Sequence, residues 1–400
     1  NELPAHLERI EIEIQPQEDT SGMKLIGWEV SEKLGYEVGR LYVNRFTRAN
    51  YARPDEAGII CPGLPAHLFD KCIAEPSLVA KIVVDKYVDH LPVDRQFKAF
   101  KRQGIDLPTS TAYDWVKQAA LRLEVLYQAL IKVVMQSSYI QVDESPIQVL
   151  DKDLKGKTHR GYQWVFRAPE SKLVFFHYHQ GRDKGFPKEQ LKGYQGYLQT
   201  DAYAAYEQFK IQPGIIPMHC LAHARREFEK ALTNDKARAE YALNCFQQLY
   251  VLERKARDQN MDYAQRKALR QDHAIPLLDQ LEQWGEQNLN QTTPSSPIGA
   301  AIRYYQARKP YLRRYVEDGR LEIDNNLIEN AIRPLALGRK NYLFAGSHEA
   351  AQRAAIFYSL FACCAQHNIN PMAYLNDVLG RIPEHPINRI NELLPDQWMG

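Results

Sequence analysis

Cysteine is scarce and unpatterned in this chain of 400 residues. Six are present, Cys61, Cys72, Cys220, Cys245, Cys363 and Cys364, with no C-x-x-C pair among them. That excludes a disulfide scaffold and makes a reducing cytoplasm the expected setting. Long hydrophobic runs are missing as well. The most apolar stretch, AAIFYSLFACCA at 354–365, is too short to span a bilayer and reads as a core helix. No signal peptide, internal repeat or low-complexity tract is visible. Charge of one sign is lacking: 51 Lys and Arg stand against 49 Asp and Glu, a net charge of +2. No global field demands a nucleic-acid partner, so any basic surface has to be local. What is there is ordinary for a globular chain of several domains, with 44% hydrophobic and 25% charged residues. The chain opens on Asn1 rather than Met, which leaves room for a segment ahead of it.

Periodicity divides the chain. Residues 1–70 read as short strands and turns (RIEIEIQ, KLIGWEVSEKLGYEV, RLYVNRFTRANYA). Residues 71–135 read as helices: SLVAKIVVDKYVDH, then PVDRQFKAFKRQ with Pro92 in its first turn, then a break at Gly104. A third helix starts with Thr109 or Ser110 as cap and carries Tyr113, Trp115 and Lys117. Helix, Gly-containing turn and capped helix is the helix-turn-helix pattern, though an ordinary helical hairpin reads the same. Residues 136–230 predict three consecutive strands, a short helix, and further strands alternating with helices, an α/β sheet. A charged helical stretch at 231–320, interrupted by NQTTPSSP, reads as an insertion. Final helices fill 321–365, and 366–400 form a C-terminal tail.

Three carboxylates stand out. Asp143 interrupts an apolar strand, so it has to be paired, metal-bound or at an edge. Asp201 ends the strand GYLQTD and precedes AYAAYEQF. Capping a helix is its plain reading, but strand C-termini are also where open α/β sheets build active sites. Glu329 lies in IDNNLIENAIRPLALGRKNYLFAGS, residues 323–347. Read as a helix capped by Asp324, this segment puts Leu327, Ile328, Ala331, Ile332 and Leu335 on one buried stripe. Asn326, Glu329 and Arg333 fall on the opposite side, and Pro334 should kink or end the first part. Alone, that polar side reads equally as a solvated face. Together, two strand acids and a helix acid can hold two divalent metals by oxygen ligation, about 4 Å apart, for in-line phosphoryl transfer.

Four stretches, VDESPIQVLDK, YLQTDAYAAYE, HCLAHARREF and the block from DNNLIENAIRPLALGRKNYLFAGS through NINPMAYL, carry a resemblance. The chain resembles the TnpC-type DDE transposases of bacterial insertion sequences, the insertion-sequence sixty-six family, from about residue 60 onward. The resemblance implies a ribonuclease-H-like α/β core with a helical insertion, preceded by a helix-turn-helix-like region and a small β-rich segment. It also implies a catalytic and metal-binding triad of Asp143, Asp201 and Glu329, with gaps of 201 − 143 = 58 and 329 − 201 = 128 residues. The expected cofactor is a pair of Mg²⁺ or Mn²⁺ ions. The expected partners are double-stranded DNA, as transposon ends and target, a second copy or more of the chain on that DNA, and accessory proteins of the element. A cytoplasmic, nucleoid-associated protein with no membrane partner follows.

HCLAH resembles the family's C-x-x-H signature, which points to Cys220 and His223 in support of the carboxylates, with Asn326 beside Glu329. Half a zinc site is the other reading of that pair, and no second half is in evidence. Arg225, Arg226, Arg333, Arg339, Lys340 and the helix residue Lys117 are the candidate DNA contacts. In GRKNYLF, Arg339 and Lys340 follow a flexible Gly and precede two aromatics, a mix suited to backbone and base. The chain departs from its relatives at the N-terminus. Their cysteine-rich zinc segment retains only Cys61 here, so no zinc is expected, and their upstream DNA-binding and dimerising helices are absent. Two rivals survive: a nuclease of this fold without strand transfer, and a catalytically silent, transposase-derived DNA-binding protein.

Overall fold

The computed structural model describes residues 39, 41–43, 51–52, 59–60, 68–69, 72–151, 153 and 156–400. The chain divides into two compact units, Asn1–Pro65 and Ala66–Gly400. In the first, strands β1 (Tyr51–Ala52) and β2 (Ile59–Ile60) pair antiparallel, with Tyr51 opposite Ile60. The remaining strands expected over 1–70, and Cys61 with the zinc question it raises, lie outside the described residues.

The second unit begins with three helices, α1 (Pro76–Tyr87), α2 (Val93–Arg102) and α3 (Thr109–Met135). Gly104, at φ 84°, makes the turn before α3 that only glycine adopts freely. No hydroxyl caps α3: Pro108 occupies the cap position, which its fixed φ suits. Ala112, Trp115, Ala119, Leu123, Leu126 and Leu130 recur at helical spacing along its buried stripe. The second half of α3 is not a free recognition helix. Its Tyr127 hydroxyl donates to the Phe176 carbonyl of the sheet at 2.6 Å.

A five-stranded sheet follows, built from β3 (Tyr139–Leu150), β4 (Thr158–Ala168), β5 (Leu173–His179), β6 (Gly196–Thr200) and β7 (Ile215–His219). Its order is β5-β4-β3-β6-β7. The first three strands form an antiparallel meander, and β6 and β7 run parallel to β3. These are the strands that the apolar runs predict, displaced by a residue or two. Helix α4 (Gly185–Gln190) bridges the two halves. Gly196 starts β6 at φ 144°, where a Cβ would run into the Ser138 carbonyl. That close approach lets β6 lie against β3.

Helix α5 (Leu221–Ala231) leads into the insertion, made of α6 (Lys236–Asp258), α7 (Tyr263–Leu269), α8 (Ile275–Leu289) and α9 (Pro297–Leu312). It is no appendage: Phe228 of α5, Phe246 of α6, Leu278 of α8 and Tyr305 of α9 share one core with Tyr139 and Met218 of the sheet. The chain then returns as α10 (Asn326–Tyr342), α11 (His348–Gln366) and α12 (Pro371–Arg381).

Helix α11 is the predicted core helix, capped by Ser347, whose hydroxyl accepts the Ala350 N–H at 3.1 Å. It seals the edge strand β5. Ser359 Oγ accepts the Phe176 N–H at 2.8 Å, and Cys363 Sγ both accepts from and donates to Val174 at 3.2 Å. An unpaired strand edge is thereby satisfied by side chains rather than by another strand. The segment beyond 366 is ordered and packed, with Tyr374 buried and its hydroxyl donating to the Leu393 carbonyl at 2.8 Å. Among the described residues no helix is long and apolar enough to cross a membrane.

Candidate active site

The register of β3 against β6 brings the first two acids together. Tyr139 faces Tyr197 and Gln141 faces Gln199, an offset of 58 residues. Asp143 and Asp201 share that offset (201 − 143 = 58), so both stand two residues past the last matched pair. Successive side chains alternate across a sheet, so Tyr139, Gln141 and Asp143 line one face, with Tyr197, Gln199 and Asp201 beside them. β6 ends at Thr200 while β3 runs on to Leu150. The two acids thus lie where the parallel strands stop, the crevice in which open sheets bind ligands.

Asp201 does not cap a helix. Its Oδ1 accepts the Tyr203 N–H at 2.8 Å in a tight turn, and Ala202 takes φ 67°. The coil that follows, Ala204–Lys210, is 3₁₀. Such a turn leaves the other carboxylate oxygen uncommitted by any bond of its own loop. Asp143 is similar: its Oδ1 accepts the next N–H, that of Glu144, at 2.7 Å.

Glu329 arrives by a strap laid across this face. Gln141 Nε2 donates to Gln199 Oε1 at 2.8 Å and to the Asp324 carbonyl at 3.1 Å, and Gln199 Nε2 donates to the Glu322 carbonyl at 2.9 Å. The Tyr139 hydroxyl donates to Gln199 Oε1 and accepts the Glu322 N–H. Cys220, at the start of α5, accepts the Asn325 N–H on its sulfur at 3.2 Å. Backbone 322–325 is therefore fixed to the residues flanking both Asp143 and Asp201, and α10 starts at Asn326 with Glu329 in its first turn.

Asp324 acts one position earlier than a formal cap. Its Oδ1 accepts the Asn326 N–H at 3.0 Å, and its Oδ2 accepts from Asn326 Nδ2 and from the Tyr250 hydroxyl, both at 2.8 Å. Asn326 thus braces Asp324 and is itself exposed. Ile328, Ala331, Ile332 and Leu335 are buried as expected, and Leu327 only partly. Pro334 does not end the helix, which continues to Tyr342 with its apolar side buried on both flanks of the proline. Gly338 is not flexible either: it sits in the helix, and a Cβ there would lie 2.8 Å from Tyr342 and from the Tyr358 hydroxyl.

Electrostatics link the three acids. Burial, then the charges of Glu144 and Asp201, and more weakly Glu329, push the Asp143 carboxyl well above the usual carboxylate range. The Glu144 N–H opposes them. Burial holds the His223 imidazole below its ordinary range although the Asp201 and Glu329 charges pull it up, so His223 also faces the cluster. Its Nδ1 is buried and without a partner. Burial pushes the Cys220 thiol up to about 12, which makes it an acceptor and packing group rather than a nucleophile. Among the described residues no three His, Cys, Asp or Glu side chains are already closed on one point at metal-ligand spacing. Asp143 and Asp201 each keep one carboxylate oxygen outside the bonds of their own loops, and Mg²⁺ is a cation that takes such oxygen donors.

Two groups of residues escape sequence reading. Glu144, next to Asp143 but on the other face, is buried and bound by Arg182 at 2.6 Å and by the Tyr206 hydroxyl at 2.7 Å. The Arg182 guanidinium lies 3.8 Å over the ring of Tyr203, whose N–H holds Asp201. Glu144 and Arg182 therefore tie the Asp201 turn to the strand of Asp143. The second group belongs to the insertion. Arg270 occupies a π-helical turn, Arg270–Ala274, fully buried. It grips Glu253 through Nε and Nη2 at 2.8 Å and donates to the carbonyls of Tyr315, Asp318 and Leu321 at 2.7–2.9 Å. Arg266 shares Glu253 and binds both oxygens of Glu322 at 3.0 and 2.9 Å. The insertion thus clamps the strap that carries α10.

The expected DNA contacts divide. Lys117, Arg226, Arg333 and Lys340 are exposed. Arg225 pairs with Glu229 at 2.8 Å, and Arg339 donates to the Pro146 carbonyl of β3. Those two thus already have partners within the chain.

Comparison with known proteins supplies the family. A profile described as the Transposase IS66 family matches residues 71–353, and a second, the IS66 C-terminal element, matches residues 359–395. Three uncharacterized proteins of Sinorhizobium fredii, y4qI, y4hP and y4jD, are each 30% identical to the chain. The alignments cover 98–99% of this chain and 76%, 76% and 81% of those proteins. With the family profile spanning both strand acids, the insertion and the helix acid, the chain belongs to the IS66 family of transposases.

Proposed function

We propose that this chain is a DDE transposase. It cleaves DNA at the ends of an insertion sequence and joins them to target DNA, on a ribonuclease-H-like core with Asp143, Asp201 and Glu329 as catalytic and metal-binding residues. The observation that carries the reading is the common offset of 58 between the paired strands and the two acids, with the Gln141–Gln199 pair tying Glu329's helix to the same face. The sheet order supports the core assignment: an antiparallel meander with two parallel strands added beside its first strand.

In this reading Asp143, Asp201 and Glu329 hold Mg²⁺ or Mn²⁺ through their free oxygens. Two bound ions would lower the barrier by polarising the attacking oxygen and neutralising charge on the leaving one. The chain's own residues do the rest. The Glu144–Arg182–Tyr203 tie fixes the Asp201 turn, and the strap from Glu322 to Asn325 fixes Glu329. His223, whose imidazole burial holds below its ordinary range, stands in the field of Asp201 and Glu329. Lys117, Arg226, Arg333 and Lys340 supply phosphate contacts whose strength falls with salt. We assign 71–135 to end binding and 231–320 to support of the Glu329 helix. An assembly of two or more copies on DNA, in the bacterial cytoplasm, completes the proposal.

The test uses purified protein, duplex DNA ending in the terminal repeats of its own element, a target plasmid, and Mg²⁺ or Mn²⁺. End cleavage followed by joining is expected. Cleavage without joining would make the chain a nuclease. Binding without cleavage would make it a silent DNA-binding protein.

A further inference from the structure

One face of α9 has no part in the chemistry above. Tyr304, Arg308 and Tyr311 recur there at spacings of four and three, a single helical stripe. The Arg308 guanidinium lies 3.9 Å over the Tyr304 ring. The Tyr311 ring collects three more neighbours: Lys210 Nζ at 4.7 Å, Arg314 at 5.6 Å, and the ring of His219 at 4.7 Å. Lys210 pairs with the half-exposed Glu207 at 2.5 Å, while Arg314 donates to the Pro217 carbonyl at 2.9 Å. Arg308 makes one long bond, to its own helix at Tyr304 O (3.4 Å), and its buried Nε has no partner. No carboxylate among the described residues pairs with Arg308, so its guanidinium charge is not neutralised within the fold.

Position supplies the second half. His219 ends β7 one strand over from Asp201, and the charge of Asp201 acts on the Tyr304 hydroxyl, so the stripe begins beside the candidate active site. Burial comes first in driving the His219 imidazole down to about 3, and the charges of Lys210, Arg308 and Arg314 add to it. A stripe of alternating cations and aromatic faces that starts at a phosphodiester-cleaving site matches a nucleic-acid strand, whose phosphates pair with the cations and whose unstacked bases cover the rings.

We infer that the Tyr304–Arg308–Tyr311 face of α9, with Lys210 from the end of the 3₁₀ coil Ala204–Lys210, holds a DNA strand running out of the active site, its phosphates on Lys210 and Arg308 and a base against Tyr311. The inference rests on the reading of the site as one that cleaves DNA. It gives the insertion a role of its own, steering the strand beyond the scissile phosphate, besides clamping α10.

Binding in EDTA keeps the test separate from catalysis. Fluorescently labelled single-stranded and duplex oligonucleotides are titrated over a series of salt concentrations with wild type, Lys210→Gln, Lys210→Gln/Arg308→Gln and Tyr311→Ala. Thermal unfolding checks each fold, and the single Lys210→Gln change, at a partly exposed side chain, stands in should the double variant not fold. For a single strand, two lost phosphate contacts lower the slope of log K against log salt by about 1.4, and for a duplex by about 1.8, with half of either for Lys210→Gln alone. The arm showing the drop identifies the strand form. Tyr311→Ala weakens single-strand binding about tenfold with little change in slope. Folded variants with wild-type slopes in both arms overturn the inference and reduce the stripe to a brace between α9 and β7. Wild type that cleaves while these variants bind unchanged leaves the proposed function standing. Wild type that shows the slope change but never cleaves leaves the DNA site standing instead.

Discussion

Replacing Arg270 by Met removes the centre of the clamp between the insertion and the strap that carries Glu329. The side chain is fully buried, with donors committed to Glu253 and to the carbonyls of Tyr315, Asp318 and Leu321. Removing one partner of a buried ion pair costs about 3–5 kcal/mol, because the other charge is stranded. Here the lower end applies, since Arg266 still donates to Glu253 Oε2 at 2.8 Å. The three carbonyls each have a second lone pair and neighbours free to shift, so their loss together adds about 1 kcal/mol. The expected destabilisation is about 4 kcal/mol. Urea unfolding followed by circular dichroism measures it. The double variant Glu253→Gln/Arg270→Met strands no charge at that pair and should be about 2 kcal/mol less destabilised than Arg270→Met alone. A single variant within about 1 kcal/mol of wild type would refute the clamp.

Four further outcomes follow from other buried groups. Cys220 should resist iodoacetamide in the native protein at about pH 8 and react once the chain is unfolded, because burial pushes its thiol up to about 12. Cys220→Ala should cost about 1–3 kcal/mol by leaving the Asn325 N–H without its acceptor, read by urea unfolding. His219, whose imidazole burial and nearby cations drive down to about 3, stays neutral in the fold while the unfolded chain takes up a proton below its ordinary value of 6.5. Its contribution is therefore complete above about pH 6.5 and is lost as pH falls toward 3, about 2 kcal/mol by about pH 5. His219→Gln should remove that part of the slope when unfolding free energies are compared across pH. Gly338→Ala should lower stability by about 1–3 kcal/mol, seen as a lower Tm. A Cβ would press on Tyr342 and Tyr358, whose hydroxyls bond each other at 3.0 Å.

Much of the sheet was legible because each strand is a short apolar run between turns, and its local pattern has one good reading. The gap of 58 between Asp143 and Asp201 was visible too. Its meaning was not, since only the pairing of Tyr139 with Tyr197 turns that gap into adjacency. Pro334 misled because local backbone chemistry argued for a break, while burial of Ile332 and Leu335 on either side holds the helix together. Gly338 misled in the same direction, being small for packing rather than for freedom. Glu144, Arg182, Glu253 and Arg270 left no local trace. Glu144 and Arg182 are 38 residues apart, Arg270 reaches carbonyls 45–51 residues on, and a lone Arg in a polar stretch looks solvated until its acceptors are known. The helices of the helix-turn-helix-like region were legible, but the bond that ties α3 to the sheet through Tyr127 was not.

The central claim is that Asp143, Asp201 and Glu329 close on the same ions, and a crystal soaked in Mn²⁺ tests it most directly. Anomalous scattering locates manganese without assumption about its ligands. The account expects manganese bridged or flanked by the three carboxylates, at about 2.1 Å from their oxygens as for a hard octahedral cation, with the Gln141–Gln199 strap undisturbed. Manganese held by the two aspartates while Glu329 stays off the metal, or manganese bound away from this crevice altogether, would contradict it.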